Sequence, residues 1–160
     1  MSHFEIREIQ TQDNQQVADV IREVLVESGA PKVGTAYEDL ALNDMFSAYN
    51  SSKSIYFVVL KQGRIVGGAG VGPLKGERDT CELQKMYFLK EARGLGVGSF
   101  MMETCLQKAK DLGYKKCYLE TLPYMVDATK LYRKTGFKNL DAPMGETGHY
   151  SCNVWMIKEL

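Results

Sequence analysis

Between residues 14 and 27 the apolar side chains Val17, Val20, Ile21, Val24 and Leu25 recur at three- and four-residue spacing among polar ones. That period predicts an amphipathic helix, and Ser28-Gly29-Ala30-Pro31 stops it. Ahead of it, "HFEIREI" alternates imperfectly and predicts a short strand. Residues 38–49, with Leu40, Leu42, Met45 and Phe46, predict a second, weaker helix. "SIYFVVLKQGRIVGGAGVG" predicts a hairpin, with strands at 55–60 and 65–71 about a turn at 61–64 that contains Gly63. "TCELQKMYFL" extends this meander by a third strand, 80–89. A glycine-rich run follows. After it comes a helix to about residue 112, with Met102, Leu106, Ala109 and Leu112 on one face and Gly113 at its end. "KKCYLET" predicts a strand, 126–135 a helix ended by Gly136, and "FKNL" and "SCNVWMIKE" the last two strands.

The order is β-α-α-β-β-β-α-β-α-β-β. In its middle, strand, glycine turn, helix and strand form a crossover, which makes the flanking strands parallel and the connection right-handed. The remaining strands are expected to be antiparallel. The fold class is α+β, or mixed α/β, without repeated βαβ units. No internal repeat, low-complexity stretch or linker interrupts residues 1–160, so one domain is expected, and 160 residues suffice for a proper core.

Charge narrows the function. Lys and Arg number 20, as do Asp and Glu, so the formal net charge is zero. A general nucleic-acid binder would show a basic footprint. No apolar run approaches the roughly 20 residues of a membrane span, and "MSHFEIREIQ" carries charges where a signal peptide has its apolar stretch. Cys81, Cys105, Cys117 and Cys152 form no CxxC pair and sit in apolar or strand-like runs. They read as buried free thiols of a reducing, cytoplasmic compartment. His3 and His149 are the two histidines, so no His-rich metal site is expected, and the reading is no metal.

The candidate chemistry lies in "EARGLGVGSF", residues 91–100. A glycine-rich turn that opens a helix leaves N–H groups unpaired, and the helix start adds about half a positive charge. Together they make an anion site suited to a phosphate or pyrophosphate. A Walker loop would need Lys-Ser/Thr after its last glycine, and Gly98 is followed by Ser99-Phe100. A dinucleotide fingerprint would need Gly or Ala at position 99. Glu120 stands near the spacing of its ribose-binding acid, but a meander precedes the loop and only 40 residues follow Glu120.

A third reading accounts for more of the chain. Arg93, Gly96 and Gly98 form Arg-x-x-Gly-x-Gly, the strand "ELQKMYF" precedes them, and "LYRKTGF" follows about 35 residues later. In this the chain resembles the GCN5-related N-acetyltransferases, the acyl-CoA-dependent GNAT superfamily. The likeness is detailed over residues 81–137, and the element order carries it along the whole chain. It implies a central, mostly antiparallel twisted sheet with one parallel strand pair, flanked by helices, and acetyl-CoA as co-substrate. It places the pyrophosphate on the backbone of Gly94, Leu95, Gly96, Val97, Gly98 and Ser99, with Arg93 beside them. It runs the pantetheine arm along Met86, Tyr87 and Phe88 like an added strand. Many members carry an asparagine where this sequence has Met125, so one polar contact of that wall is missing. A homodimer is common in the family, and nothing in the sequence decides it.

Acetyl transfer to an amine needs a base for the ammonium, a donor to the thioester oxygen, and an acid for the departing thiolate. A free alkyl ammonium has a pKa of about 10.4 and is mostly protonated at neutral pH. The resemblance assigns the acid to Tyr132. By periodicity alone Tyr132 shares an apolar face with Ala128 and reads as core. Two carboxylates compete for the base. Glu82 lies six residues before Phe88, roughly 20 Å back along the strand, about the reach of the pantetheine arm. Alternation puts Glu82, Gln84, Met86 and Phe88 on one mostly apolar face, where burial should raise an acid's pKa. Glu120, near the end of the next strand, is the second candidate. Pairing with Lys85, Lys115 or Lys116 is the competing role for either.

The family builds its acceptor pocket from the N-terminal helices and the last hairpin. Here these offer Tyr37, Glu38, Asp39 and Asp44, and also His149 and Tyr150. Tyr37 and His149 are the candidate substrate contacts, although a solvated loop explains each of these residues singly. The leading expectation is acetyl transfer to a small-molecule primary amine. A protein or peptide acceptor, and a non-catalytic acyl-CoA sensor, are the alternatives.

Overall fold

A computed structural model describes residues 3–160. Of the N-terminal segment judged against a signal peptide, Met1 and Ser2 lie outside the described residues.

Seven strands form one sheet: β1 (Phe4–Glu8), β2 (Ile55–Lys61), β3 (Arg64–Pro73), β4 (Thr80–Phe88), β5 (Lys116–Thr121), β6 (Lys138–Leu140) and β7 (Val154–Glu159). Their order is β1-β2-β3-β4-β5-β7-β6. Among the described residues only β4 and β5 run parallel; the other neighbours are antiparallel. The crossover between them is helix α3 (Val97–Asp111), counted after α1 (Asn14–Glu27) and α2 (Met45–Ala48) and before α4 (Val126–Thr135). Among the described residues, no helix is long and apolar enough to cross a membrane.

Each face of the sheet carries its own apolar layer. α1 buries Val17, Ala18, Val20, Ile21, Val24 and Leu25, the stripe its period announces. They pack with Tyr56, Val58, Leu60 and Ile65 of β2 and β3. On the other face Met101, Met102, Cys105, Leu106 and Ala109 of α3 pack with Val59, Val66, Ala69, Val71 and Leu83. Burying one such aliphatic side chain contributes about 1.5–3 kcal/mol. These two layers therefore hold α1 and α3 against opposite sides of the central strands.

Three expectations need correction. Residues 38–49 form no single helix: two short 3-10 turns, Ala36–Glu38 and Leu40–Asn43, precede α2. Asp39 and Asp44 each stand at the cap of a new turn, and the Asp44 carboxylate accepts from the Ser47 N–H at 3.1 Å. Cys152 lies in the loop before β7 and is half-buried, unlike the buried Cys81, Cys105 and Cys117.

The third correction moves the site. Gly70 pairs with Gln84 but Gly68 pairs with Tyr87, so Lys85 and Met86 together stand opposite Ala69. This is a β-bulge, with Lys85 at φ +49°. One extra residue reverses the alternation beyond it. Glu82, Gln84 and Tyr87 therefore face the α1 side, while Leu83 and Phe88 face α3. Glu82 and Gln84 do not share a face with Met86 and Phe88.

Candidate active site

β4 and β5 pair only from Thr80 to Glu82 against Lys116 to Tyr118. Beyond that point they part, and a cavity of about 630 Å³ opens between them. β4 lines it with Leu83, Lys85, Met86, Tyr87 and Phe88, and β5 with Leu119, Glu120 and Thr121. Arg93, Gly94, Gly96, Gly98 and Ser99 close one end, and Met125, Leu131 and Tyr132 stand on the α4 side. The parting of parallel strands leaves backbone groups without a ladder partner, as an extended ligand arm requires.

At the glycine end, Gly96 takes φ +82° as the residue before α3, a conformation that costs a side-chain-bearing residue about 1–2 kcal/mol. The first helical bond runs from the Phe100 N–H to the Gly96 carbonyl at 3.1 Å. Among the described residues, the amides of 94–99 find no backbone acceptor. Gly98 serves packing instead: a Cβ there would lie 3.1 Å from Leu131 Cδ2. The Arg93 Nε donates to the Phe88 carbonyl at 2.8 Å, and its Nη1 pairs with Glu27 at 2.7 Å. Leu95 is exposed and Val97 is buried, and neither lines the cavity.

At the other end, Glu82, Glu120 and His149 bring their carboxylate oxygens and ring nitrogen within 4.8 Å of one another. Such a trio can hold a cation, either an ammonium or a divalent metal ion. Glu82 accepts from Gln84 Nε2 at 2.7 Å, and Gln84 accepts from the Tyr49 hydroxyl at 2.6 Å. Burial pushes the Glu82 carboxyl up, and the nearby Glu120 adds to this against the Gln84 hydrogen bond. Glu120 accepts from the Tyr118 hydroxyl at 2.6 Å and from the Thr147 hydroxyl. The His149 Nε2–H donates to Asp39, 2.8 Å from Oδ2, and Lys85 Nζ pairs with the same carboxylate at 3.1 Å. Burial works against both charges of the His149–Asp39 pair. The hydrogen bond between them prevails, holding His149 above and Asp39 below their ordinary values.

Tyr132 is 6% exposed and faces the cavity from α4. Among the described residues no buried side-chain oxygen or nitrogen lacks a partner, and no group donates to or accepts from the Tyr132 hydroxyl. That oxygen therefore reaches the cavity rather than the core. Burial raises its pKa well above the ordinary tyrosine value.

The structure thus gathers Met86, Tyr87, Phe88, Arg93, Gly94, Gly96, Gly98, Ser99, Glu120 and Tyr132 about one cavity. Glu82 sits deeper, at 7% exposure, and meets the cavity through Glu120. Tyr37 is elsewhere, with the cations Lys32 and Arg22 over its ring at 5.0 and 5.8 Å. Lys85, the expected rival partner of the two glutamates, pairs with Asp39 instead. Sequence reasoning missed Tyr118 and Thr147 as partners of Glu120, and the second of these depends on the loop at 141–153. Tyr118 alternates with Glu120 along β5, which was the one available signal.

The family model of the acetyltransferase (GNAT) family matches residues 18–137. The chain is 40% identical to the uncharacterised N-acetyltransferase YjgM of Escherichia coli (strain K12) over 157 residues, 97% of this chain and 94% of that one. Its fold matches a GNAT-family acetyltransferase of Staphylococcus aureus Mu50 with a TM-score of 0.88 at 19% identity, over 98% of this chain and 99% of the other. YncA of Salmonella typhimurium, solved with its cofactor acetyl-CoA, matches with a TM-score of 0.77 at 17% identity, over 99% and 94%. Two splayed parallel strands, a glycine turn at the head of the crossover helix and these matches together make the chain a member of the GNAT acetyltransferase family, an acyltransferase of the N-acetyltransferase class.

Proposed function

We propose that the protein transfers the acetyl group of acetyl-CoA to the primary amine of a small molecule by direct attack. The observation that carries this is the cavity between β4 and β5, with unpaired amides at one end and a carboxylate cluster at the other. The acetyl-CoA bound to YncA supports the choice of donor.

The amides of 94–99 and the start of α3 suit a pyrophosphate. Arg93 adds its charge beside them, and the free edge at Met86, Tyr87 and Phe88 suits an extended pantetheine arm. Acetyl-CoA supplies an activated acyl group as its thioester. Glu82 takes the proton of the acceptor ammonium, with Glu120 as the second candidate for that role. The neutral nitrogen then forms the C–N bond to the acyl carbon as the C–S bond breaks. Tyr132, kept protonated by its burial, donates to the departing sulfur. The new C–N bond leaves a second proton on the nitrogen, which passes through solvent to the Tyr132 phenolate, so one proton is released per acetyl group moved, and the scheme uses no metal. The three buried free thiols Cys81, Cys105 and Cys117 suit a reducing, cytoplasmic setting.

A panel of alkyl, arylalkyl and polyfunctional amines with acetyl-CoA, followed by free-thiol release, tests the reading. Turnover of at least one small amine is expected. Acetyl-CoA binding without turnover of any amine would contradict it.

A further inference from the structure

Glu82 is more than nine-tenths buried, yet only one of its oxygens is engaged, by Gln84. Among the described residues no hydrogen-bond donor reaches the other oxygen, and the carboxyl faces Glu120 and His149. Because His149 spends Nε2–H on Asp39, its Nδ1 is the nitrogen turned to Glu120, 4.0 Å from Oε1. Two carboxylates thus converge, and once the His149 ring is neutral its Nδ1 joins them, which matches the three N–H donors of a primary ammonium.

The basic side chains beside this seat are already committed. The Lys85 side chain is 9% exposed and pairs with Asp39, and the ring N–H of His149 is bound to the same carboxylate. Arg93 belongs to the far end of the cavity, held by Glu27 and the Phe88 carbonyl. Among the described residues at the seat, His149 is the one basic group facing Glu82 and Glu120, and with its ring neutral no cation remains there. A carboxylate on the carbon next to the acceptor nitrogen would lie against these two acids with no cation to receive it.

We propose that the acceptor is a primary amine whose nitrogen-bearing carbon carries no acid group. An alkyl or arylalkyl amine fits, and an α-amino acid does not. The ammonium sits between Glu82, Glu120 and His149 Nδ1, and Glu120, on the cavity wall, opens the seat toward the acyl donor. This deepens, and rests on, the acetyl-transfer activity proposed above. Amines of this class arise by decarboxylation of amino acids, so that class of reaction would supply the substrate.

The test uses matched triplets with the full chain and acetyl-CoA: phenethylamine, phenylalaninol and phenylalanine; isoamylamine, leucinol and leucine; tyramine, tyrosinol and tyrosine. The amino alcohol keeps the branch at the carbon and removes the charge. Within each triplet kcat/KM is expected to fall roughly 100-fold from amine to amino acid, while the amino alcohol stays within about tenfold of the amine. Glu120→Gln is expected to shrink the amine-to-acid ratio about tenfold, whatever it does to the absolute rate, because it removes the repelling charge. Amino acids turned over as well as their amines would overturn this inference and leave acetyl transfer intact. Amino alcohols as poor as the acids would also overturn it, since bulk rather than charge would then decide. No thiol release with any triplet would overturn the small-amine activity itself, and this inference with it.

Discussion

Glu82 is held where a carboxyl resists ionisation. Burial is the main cause, with the neighbouring Glu120 adding to it, so its proton leaves above the ordinary 4.5. A base works only when deprotonated, so kcat/KM should climb with pH through that raised value and level off above it. Glu82→Gln is expected to remove this acidic limb and lower kcat about 100-fold or more. A pH–rate profile with the limb unmoved would pass the role to Glu120. Tyr132 has the opposite task and must keep its proton. Its burial does this, so Tyr132→Phe is expected to lower kcat about 100-fold while coenzyme A affinity stays within about twofold. Steady-state kinetics and calorimetry on the same sample check both halves.

At the scale of elements, the bulge in β4 decides which residues meet. Without it, Glu82 and Phe88 would share a face. With it, Glu82 looks toward Glu120 and His149, while Phe88 looks toward α3. The long periodic elements were legible in the sequence: α1 and α4 occupy the residues their apolar spacing and stop signals predict, Asn14–Glu27 and Val126–Thr135. The parallel pair was legible too, because a strand-helix-strand crossover admits little else. The bulge was not, because its positive-φ residue is a lysine, and nothing in "ELQKMYF" marks one. The cluster around Asp39 was equally hidden, since it joins residues 110 apart in the chain.

Lys85 pairs with Asp39 in a mostly buried setting, and removing one partner of such a pair leaves the other charge poorly compensated. Lys85→Met should cost about 2 kcal/mol, less than a fully buried pair because His149 still holds Asp39. Urea unfolding measures it. The His149–Asp39 bond has its own pH signature. The lowered Asp39 contributes above its ordinary 3.8 and loses this as pH falls through its folded value. The raised His149 contributes fully below its ordinary 6.5 and loses this as pH rises through its folded value. The Tm difference between the protein and His149→Ala is therefore expected to be largest between these two values and to shrink above neutrality. A difference that grows with pH would contradict the pairing.

Over the whole molecule, the cavity exists because two strands that start together end apart, and the loop at 141–153 roofs the acidic end. That loop is fastened on both sides. Thr147 and the Met144 N–H reach Glu120 and the Tyr118 hydroxyl on β5. Ser151 reaches the Gly34 and Val33 carbonyls of the N-terminal segment, at 3.0 and 2.8 Å. Gly34 has φ +75°, and a Cβ there would fall 2.4 Å from Ser151 Oγ. Gly34→Ala should unseat this loop and raise the acceptor KM about tenfold or more, leaving the acetyl-CoA KM unchanged. An equal rise in both would mean the loop does not serve the acceptor alone.

The most direct test of the account joins the cavity to the chemistry. Acetyl transfer from acetyl-CoA to an alkyl amine is followed by mass in the protein and in Gly96→Asp, which sets a carboxylate where the pyrophosphate should lie. The account predicts one N-acetylated amine per coenzyme A thiol released in the unaltered protein, and loss of transfer in the variant at the same acetyl-CoA concentration. Equal transfer by both, or none by the unaltered protein with any amine, would contradict it.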